Sequence, residues 1–343
     1  MDNKPILAGL NLKQLTELLS SYPRFRSRQI HEWICRGAGS FEGMGNLPLG
    51  LRRELGEKFT LISGEICSEL SDKDGTLKIG IKLKDSCVIE AVILNDGKDR
   101  KTACLSVQAG CPAGCVFCKT GSLGFKRNLT YAEIVGQFLR LRGLENDISH
   151  IVIMGMGEPM FNLEELGKAL GFIMDKEGLN ISKRRITLST SGIISGIEEF
   201  TNSGPDIRLA VSLTSARDEL RQRLMPISRE NPLARLKETL LEYQRKRKRR
   251  ITLEMVLLGG INTGKEEAAA VAEFSGGLDA VVNLIPWNHV DGLEFDGLPL
   301  LSPEENEISN FALALEKKGV KVTHRMEKGQ SISGACGQLG QVQ

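Results

Sequence analysis

The chain has 343 residues, 41% hydrophobic and 26% charged, with a formal net charge of +2. That is the composition of an ordinary soluble globular protein with one large domain and something smaller, and it leaves any nucleic-acid contact to local basic patches rather than to a global field. Eight cysteines are too few for a disulfide scaffold at this length and fit a reducing compartment. No apolar run nears the length of a membrane span and MDNKPILAGL lacks a signal-peptide core, so the expectation is a cytoplasmic protein with no membrane partner.

Residues 1–60 read as a helical domain. Leu12, Leu15, Leu18 and Leu19 make one apolar face, Ser27 can cap a second helix carrying Ile30, Trp33 and Ile34, and Leu51 and Leu55 mark a third. Arg24, Arg26 and Arg28 gather at the start of the second helix, where a solvated surface and an RNA contact are both open. Residues 61–100 read as a β-hairpin linker: Leu77, Ile79, Ile81 and Leu83 alternate after the turn Asp72–Gly75, and Val88–Leu94 is the partner strand. Glu90 lies inside that strand, where a carboxylate is more often solvent-facing than catalytic.

From 101 to 343 strands and helices alternate. The strands are predicted at Ala103–Val107, Ile151–Met154, Ile186–Ser189, Leu209–Leu213, Ile251–Leu257, Val281–Ile285 and Val320–His324. Helices are predicted after the capping box Thr130-x-x-Glu133 and over Leu163–Lys176, Pro232–Lys246, Lys265–Phe274 and Pro303–Lys318. Repeated β-α units imply a parallel sheet or barrel, with ligands at the carboxyl ends of its strands.

The loop after the first of these strands carries CPAGCVFC, which places Cys111, Cys115 and Cys118 at C-x3-C-x2-C. Three thiolates on one short loop can hold three irons of a [4Fe-4S] cube and leave the fourth open, where S-adenosylmethionine (SAM) can bind through its amino and carboxylate groups. A zinc site is the competing reading, but the sequence has no second C-x2-C or H-x3-H pair to complete it. The second strand ends in Gly155-Met156-Gly157-Glu158-Pro159, whose glycines let the backbone approach a ligand closely. The run Arg245–Arg250 ends a helix and is either a solvated surface or an RNA-backbone contact, with Lys126–Arg127 and Lys183–Arg185 as further candidates.

The segments CLSVQAGCPAGCVFC, GFKRNLT, GMGEP, SKRRITLSTSG, LMPIS, NLIPWN and ACGQL occur in this order over almost the whole chain. Together they resemble the RlmN/Cfr family of radical-SAM enzymes, which methylate an adenine ring carbon in RNA. The proline of GMGEP is similar to the RlmN branch, which acts on carbon 2 of an adenine in 23S rRNA and in some tRNAs. The resemblance implies a partial (β/α) TIM-type barrel, α/β in class, with a small helical N-terminal domain. It implies a [4Fe-4S] cluster on Cys111, Cys115 and Cys118, and two SAM molecules per turnover contacted by Gly157, Glu158, Ser189, Ser212, Leu213, Thr214 and Asn288. It also implies that Cys336 becomes S-methylated, that Cys104 resolves the protein–RNA adduct by a disulfide with Cys336, and that Glu90 accepts a proton. RNA and a reducing donor such as flavodoxin or ferredoxin are the implied partners, and the protein is read as a monomer. The chain departs from the family at Thr214, where the family has histidine, and at Gln330, Ser331 and Ser333, where acidic residues usually precede the cysteine. Two alternatives stay open: a related enzyme acting at another adenine position, such as carbon 8, and a zinc-stabilised RNA-binding protein without catalysis.

Overall fold

The computed structural model describes residues 4–97, 100–324 and 328–341. Three helices come first: α1 (Leu12–Leu18), α2 (Arg24–Cys35) and α3 (Leu49–Lys58). Asn11 and Gln14 form a reciprocal capping box at the start of α1, each side chain accepting the other's N–H at 2.9 Å. The apolar stripe of α1 is narrower than expected, since Leu15 and Leu19 are fully buried but Leu18 faces outward. The capping role predicted for Ser27 is overturned. Pro23, with its fixed φ, stands at the N-cap of α2, and Ser27 is buried in the second turn with no hydrogen bond to its Oγ.

Residues 61–100 extend the main sheet. β1 (Glu65–Ser71), β2 (Leu77–Lys82) and β3 (Val88–Asn95) are successive antiparallel neighbours, and β3 pairs antiparallel with β4 (Lys101–Cys104). The alternation in β2 predicts one solvated face, yet Lys78 and Gly80 on that face are buried, and Lys78 Nζ donates to Ser333 O of the C-terminal segment. The first β-α strand ends at Cys104 instead of Val107. Leu105 and Val107 are still buried, their N–H groups bonded to Val152 and Met156, so the apolar run continues into a packed loop.

After β4 come a two-stranded pair, β5 (Gln108–Gly110) and β6 (Phe125–Asn128), with the short α4 (Lys119–Ser122) between them, and then the β-α units. These are α5 (Tyr131–Leu144), β7 (Ile148–Ile153), α6 (Leu163–Met174), β8 (Ile186–Thr190), α7 (Ile194–Ser203), β9 (Arg208–Ser212), α8 (Asp218–Leu224), α9 (Leu233–Arg247), β10 (Ile251–Leu257), α10 (Lys265–Ser275) and β11 (Ala280–Pro286). A small hairpin of β12 (Glu294–Phe295) and β13 (Leu298–Pro299), α11 (Glu305–Glu316) and β14 (Val322–His324) complete the order.

The main sheet has ten strands in the order β1-β2-β3-β4-β7-β8-β9-β10-β11-β14, parallel from β4 onward. Every parallel neighbour is also the next strand of the main sheet along the chain, with the small pairs β5–β6 and β12–β13 lying in the connections. With right-handed crossovers this places all the connecting helices on one face, the arrangement of a barrel wall rather than of a doubly wound sheet. Among the described residues no pairing joins β14 back to β4 or β1, so the wall is open, as a partial barrel requires. One apolar core runs from Leu7 and Leu15 through the strands to Leu339, and a second surrounds the cysteine loop with Phe117, Leu224, Met225 and Trp287. No described helix is long and apolar enough to cross a membrane.

Candidate active site

The carboxyl ends of β7 to β11 and the loop after β4 enclose a cavity with an empty volume of about 920 Å³ including its mouth. Cys111, Cys115 and Cys118 line it, together with Gly157, Glu158, Ser189, Ser212, Asn288 and Cys336. The loop is pinned from several sides: Cys111 N–H donates to Gly124 O at 2.9 Å, Val116 N–H to Leu224 O at 3.0 Å and Trp287 Nε1–H to Phe117 O at 2.8 Å. Burial pushes the Cys111 thiol up to about 12, and burial also raises Cys115 and Cys118, with smaller additions from Cys118 on Cys111, from Cys118 and Cys111 on Cys115, and from Cys336 on Cys118. Three thiols so placed ionise only against a compensating positive charge, which a cluster's irons supply.

Among the described residues no three His, Cys, Asp or Glu side chains close around a single ion, the three loop cysteines included. The thiols instead border a space shared with the strand ends. This fits a group that takes three soft ligands and presents its open corner to the cavity.

The strand end GMGEP is shaped by close backbone approach. Gly157 has φ +102°, and a Cβ there would stand 2.5 Å from the Cβ of Gln108. The Glu158 carboxylate is buried and accepts from Thr190 Oγ1 at 2.6 Å, Ser191 N and Oγ at 2.7 Å each, and Met160 N at 3.1 Å. Burial raises its pKa, and these donors work against that rise. Ser189 Oγ donates to Glu254 at 2.6 Å, and Ser212 lines the cavity beside it. Leu213 and Thr214 do not line it. Both are fully buried behind Ser212 with their N–H groups on Glu254 O, and Thr214 has φ +57° and an unpaired Oγ1.

A second, smaller cavity adjoins the first and is lined by Cys104, Met154, Pro286, Asn288, Lys328 and Cys336. Cys336 therefore borders both spaces. Asn288 Nδ2–H donates to the Cys336 carbonyl at 2.9 Å and holds that turn in place. Glu90 lines neither cavity and is not solvent-facing. It is fully buried, with Oε2 accepting Gly340 N–H at 2.6 Å and Oε1 3.4 Å from Lys78 Nζ.

Sequence reasoning missed Glu254, Arg221 and Lys78. Glu254 carried a usable signal, an acid inside the apolar run of β10. Arg221 carried none: it lies in a polar-looking helix, yet it is fully buried and donates to the carbonyls of Ser191, Leu213 and Asn231.

The basic candidates separate by position. In the run Arg245–Arg250, Arg245 pairs with Glu242, Arg247 bonds three carbonyls of the α7 end and Arg249 pairs with Asp206. The run precedes β10, at the amino end of the strand and about 20 Å from the cavity end. Lys183 likewise pairs with Asp206. Lys126 and Arg127 lie on β6 near the cysteine loop, with Arg127 held by Asp85 and Glu133. On α2, Phe25 is 57% exposed, with the Arg26 guanidinium 4.7 Å from its ring centre and Arg24 and Arg28 nearby on the same helix.

Residues 105–272 match the profile described as the Radical SAM superfamily. A protein of Treponema denticola named as a probable dual-specificity RNA methyltransferase RlmN is 47% identical, over 98% of this chain and 96% of its own length. The same-named protein of Thermus thermophilus is 39% identical over 96% of this chain and 93% of its own. The crystal structure of a radical SAM methyltransferase from Sphaerobacter thermophilus superposes with a TM-score of 0.90 at 36% identity, covering 98% of this chain and 99% of that one.

Proposed function

The chain belongs to the Radical SAM superfamily and, within it, to the dual-specificity RNA methyltransferases named RlmN, and from that premise we propose that it methylates carbon 2 of an adenine in 23S rRNA and in tRNA. The observation that carries this reading is the placement of Cys336 on the border of two cavities, one holding the three loop cysteines and the other holding Cys104.

Cys111, Cys115 and Cys118 would hold the [4Fe-4S] cluster, and Gly157, Glu158, Ser189, Ser212 and Asn288 would hold SAM, with Leu213 and Thr214 supporting Ser212 from behind. When bound, the cluster supplies the electron that cleaves SAM, and SAM supplies both a methyl group and the radical that activates it. Cys336 carries the methyl carbon as a thioether, which divides a difficult substitution at an electron-poor ring carbon into easier steps. Two SAM molecules per turnover follow, one for the methyl group and one for the radical. The target base, drawn out of its RNA context, enters beside Cys336. Once the ring has lost its proton and its odd electron, which the cluster would take back, the Cys104 thiolate attacks the Cys336 sulfur: the S–S bond forms, the S–CH2 bond to the base breaks, the released carbon takes up a proton as the product methyl group, and an external thiol reductant must reopen the disulfide. Glu90 accepts the ring proton, and Gly340 must lift from its carboxylate for that to happen.

Residues 1–60, with Phe25 near Arg24, Arg26 and Arg28, serve as the RNA-binding domain, residues 61–100 join it to the catalytic unit at 101–343, and a monomer acts in the cytoplasm with a flavodoxin- or ferredoxin-type donor. Mass spectrometry of nucleosides from rRNA and tRNA, with and without the gene, tests the reading. We expect 2-methyladenosine to disappear from both RNAs when the gene is removed. Loss of 8-methyladenosine instead would move the enzyme to the alternative ring position, and no loss of either would end the proposal.

A further inference from the structure

A buried ion pair grips the C-terminal segment on both sides of Cys336. Lys78 on β2 and Glu90 on β3 have side chains 2% and 1% exposed, with Nζ and Oε1 3.4 Å apart. Lys78 Nζ also donates to Ser333 O at 3.2 Å, three residues before the cysteine. Glu90 Oε2 accepts the Gly340 N–H at 2.6 Å, four residues after it. Gly80 faces Glu90 across the two strands and brings no side chain, which leaves room for the diagonal pair. In the turn between β1 and β2, Asp74 accepts the Gly329 N–H at 3.0 Å.

We propose that Lys78 is a positioning residue: with Glu90 it forms a buried latch that sets where the Cys336 sulfur stands between the two cavities. A buried ion pair is rarely more stabilising than an apolar pair of the same volume, so its use here argues for specificity of placement. Each charge of the pair also meets a main-chain group of the segment, and the Glu90 bond to Gly340 is the shorter of the two. On the opposite side, Lys119 N–H and Thr120 Oγ1–H donate to the Gly337 and Leu339 carbonyls, at 2.7 Å each. The segment is thus clamped between the cysteine loop and the β2–β3 hairpin. Lys78 touches neither cavity, so it acts through Cys336. Its bearing on catalysis rests on Cys336 as the methyl carrier, whereas the latch itself does not.

The test uses the full-length, cluster-loaded enzyme as Lys78→Met, Lys78→Arg and the double variant Lys78→Met/Glu90→Gln. The double variant removes both charges and avoids leaving one buried alone. Amide hydrogen exchange is followed by mass spectrometry on peptides covering 329–341, with α9 as internal reference, together with the fraction of Cys336 isolated as S-methylcysteine. Lys78→Met and the double variant should exchange the segment about tenfold faster than wild type, with α9 unchanged, while Lys78→Arg stays near wild type. The S-methyl fraction should fall with the faster exchange and recover in Lys78→Arg. A double variant that melts near wild type and exchanges 329–341 at the wild-type rate overturns the latch. Fast exchange with a wild-type S-methyl fraction overturns its role in placing the sulfur. Absence of S-methylcysteine from the wild type counts against the methyl-carrier reading, while the exchange result still decides the latch.

Discussion

Gly157 has almost no room for a side chain. Its φ is +102°, and an added Cβ would meet the Cβ of Gln108 at 2.5 Å and its backbone N at 2.8 Å. Gln108 cannot swing away without loss, because its Oε1 accepts the Glu158 N–H and its Nε2–H donates to Asn128, at 2.8 Å each. Gly157→Ala should therefore lower the unfolding free energy by about 3 kcal/mol, summing backbone strain and overpacking. It should also weaken SAM binding to the folded protein. Urea titration and equilibrium dialysis check this, and a change within about 0.5 kcal/mol would mean the strand end yields more easily than its contacts imply. The three loop cysteines stand out in the sequence by their spacing, whereas Gly157 is singled out by the resemblance of the GMGEP strand end. Glu90 and Glu254 were half legible, as acids inside apolar strands, but pattern alone cannot say whether such an acid faces water or a buried partner. Arg221 was not legible, since its burial depends on three carbonyls from three separate segments.

The end of α9 shows how an element can absorb residues that sequence reading assigns to a ligand. Arg247 donates to the carbonyls of Phe200, Thr201 and Gly204 at 2.7 to 2.8 Å, and so pairs carbonyls at the C-terminus of α7, where Phe200 O already accepts the Gly204 N–H. Lys248 is the C-cap of α9, with φ +52°, and its side chain is exposed. The two neighbours should therefore respond in opposite senses. Arg247→Gln should cost about 2 kcal/mol through unpaired carbonyls, while Lys248→Gly should gain about 0.5–1 kcal/mol by relieving the left-handed conformation. Thermal melts of the two variants check this, and equal behaviour would return the run to a plain solvated surface. Elements with strong periodicity were read closely, and β10 was predicted with both of its ends. β1 was missed because EICSELS is mostly polar and exposed, and its pairing to β2 is what makes it a strand. β5 and β6 are three and four residues long, held by each other, and too short to show a period.

At the scale of the whole molecule, the site exists because three regions far apart in sequence meet. The strand ends bring the loop cysteines, the β2–β3 hairpin brings Lys78 and Glu90, and residues 328–341 bring Cys336 between them. Thr120 is bonded to Leu339 across 219 residues and Glu90 to Gly340 across 250, contacts that no local pattern announces. The resemblance of ordered motifs could name the participants, but only the fold shows that Cys336 borders two spaces while Cys104 borders only the smaller one. That asymmetry predicts an order of events and a test of it. If Cys336 carries the carbon and Cys104 releases it, Cys336→Ala should methylate no RNA and form no adduct, because the carrier is gone. Cys104→Ala should still be methylated and still add to the base. Lacking the resolving thiol, it should accumulate joined to RNA through Cys336, seen as a nuclease-sensitive mass shift on the intact protein. The double variant should match Cys336→Ala, since the second thiol acts only on what the first has formed. Normal turnover by Cys104→Ala would show that release needs no partner thiol. An adduct in Cys336→Ala would place the covalent attachment elsewhere and leave the shared border of the two cavities without a chemical role.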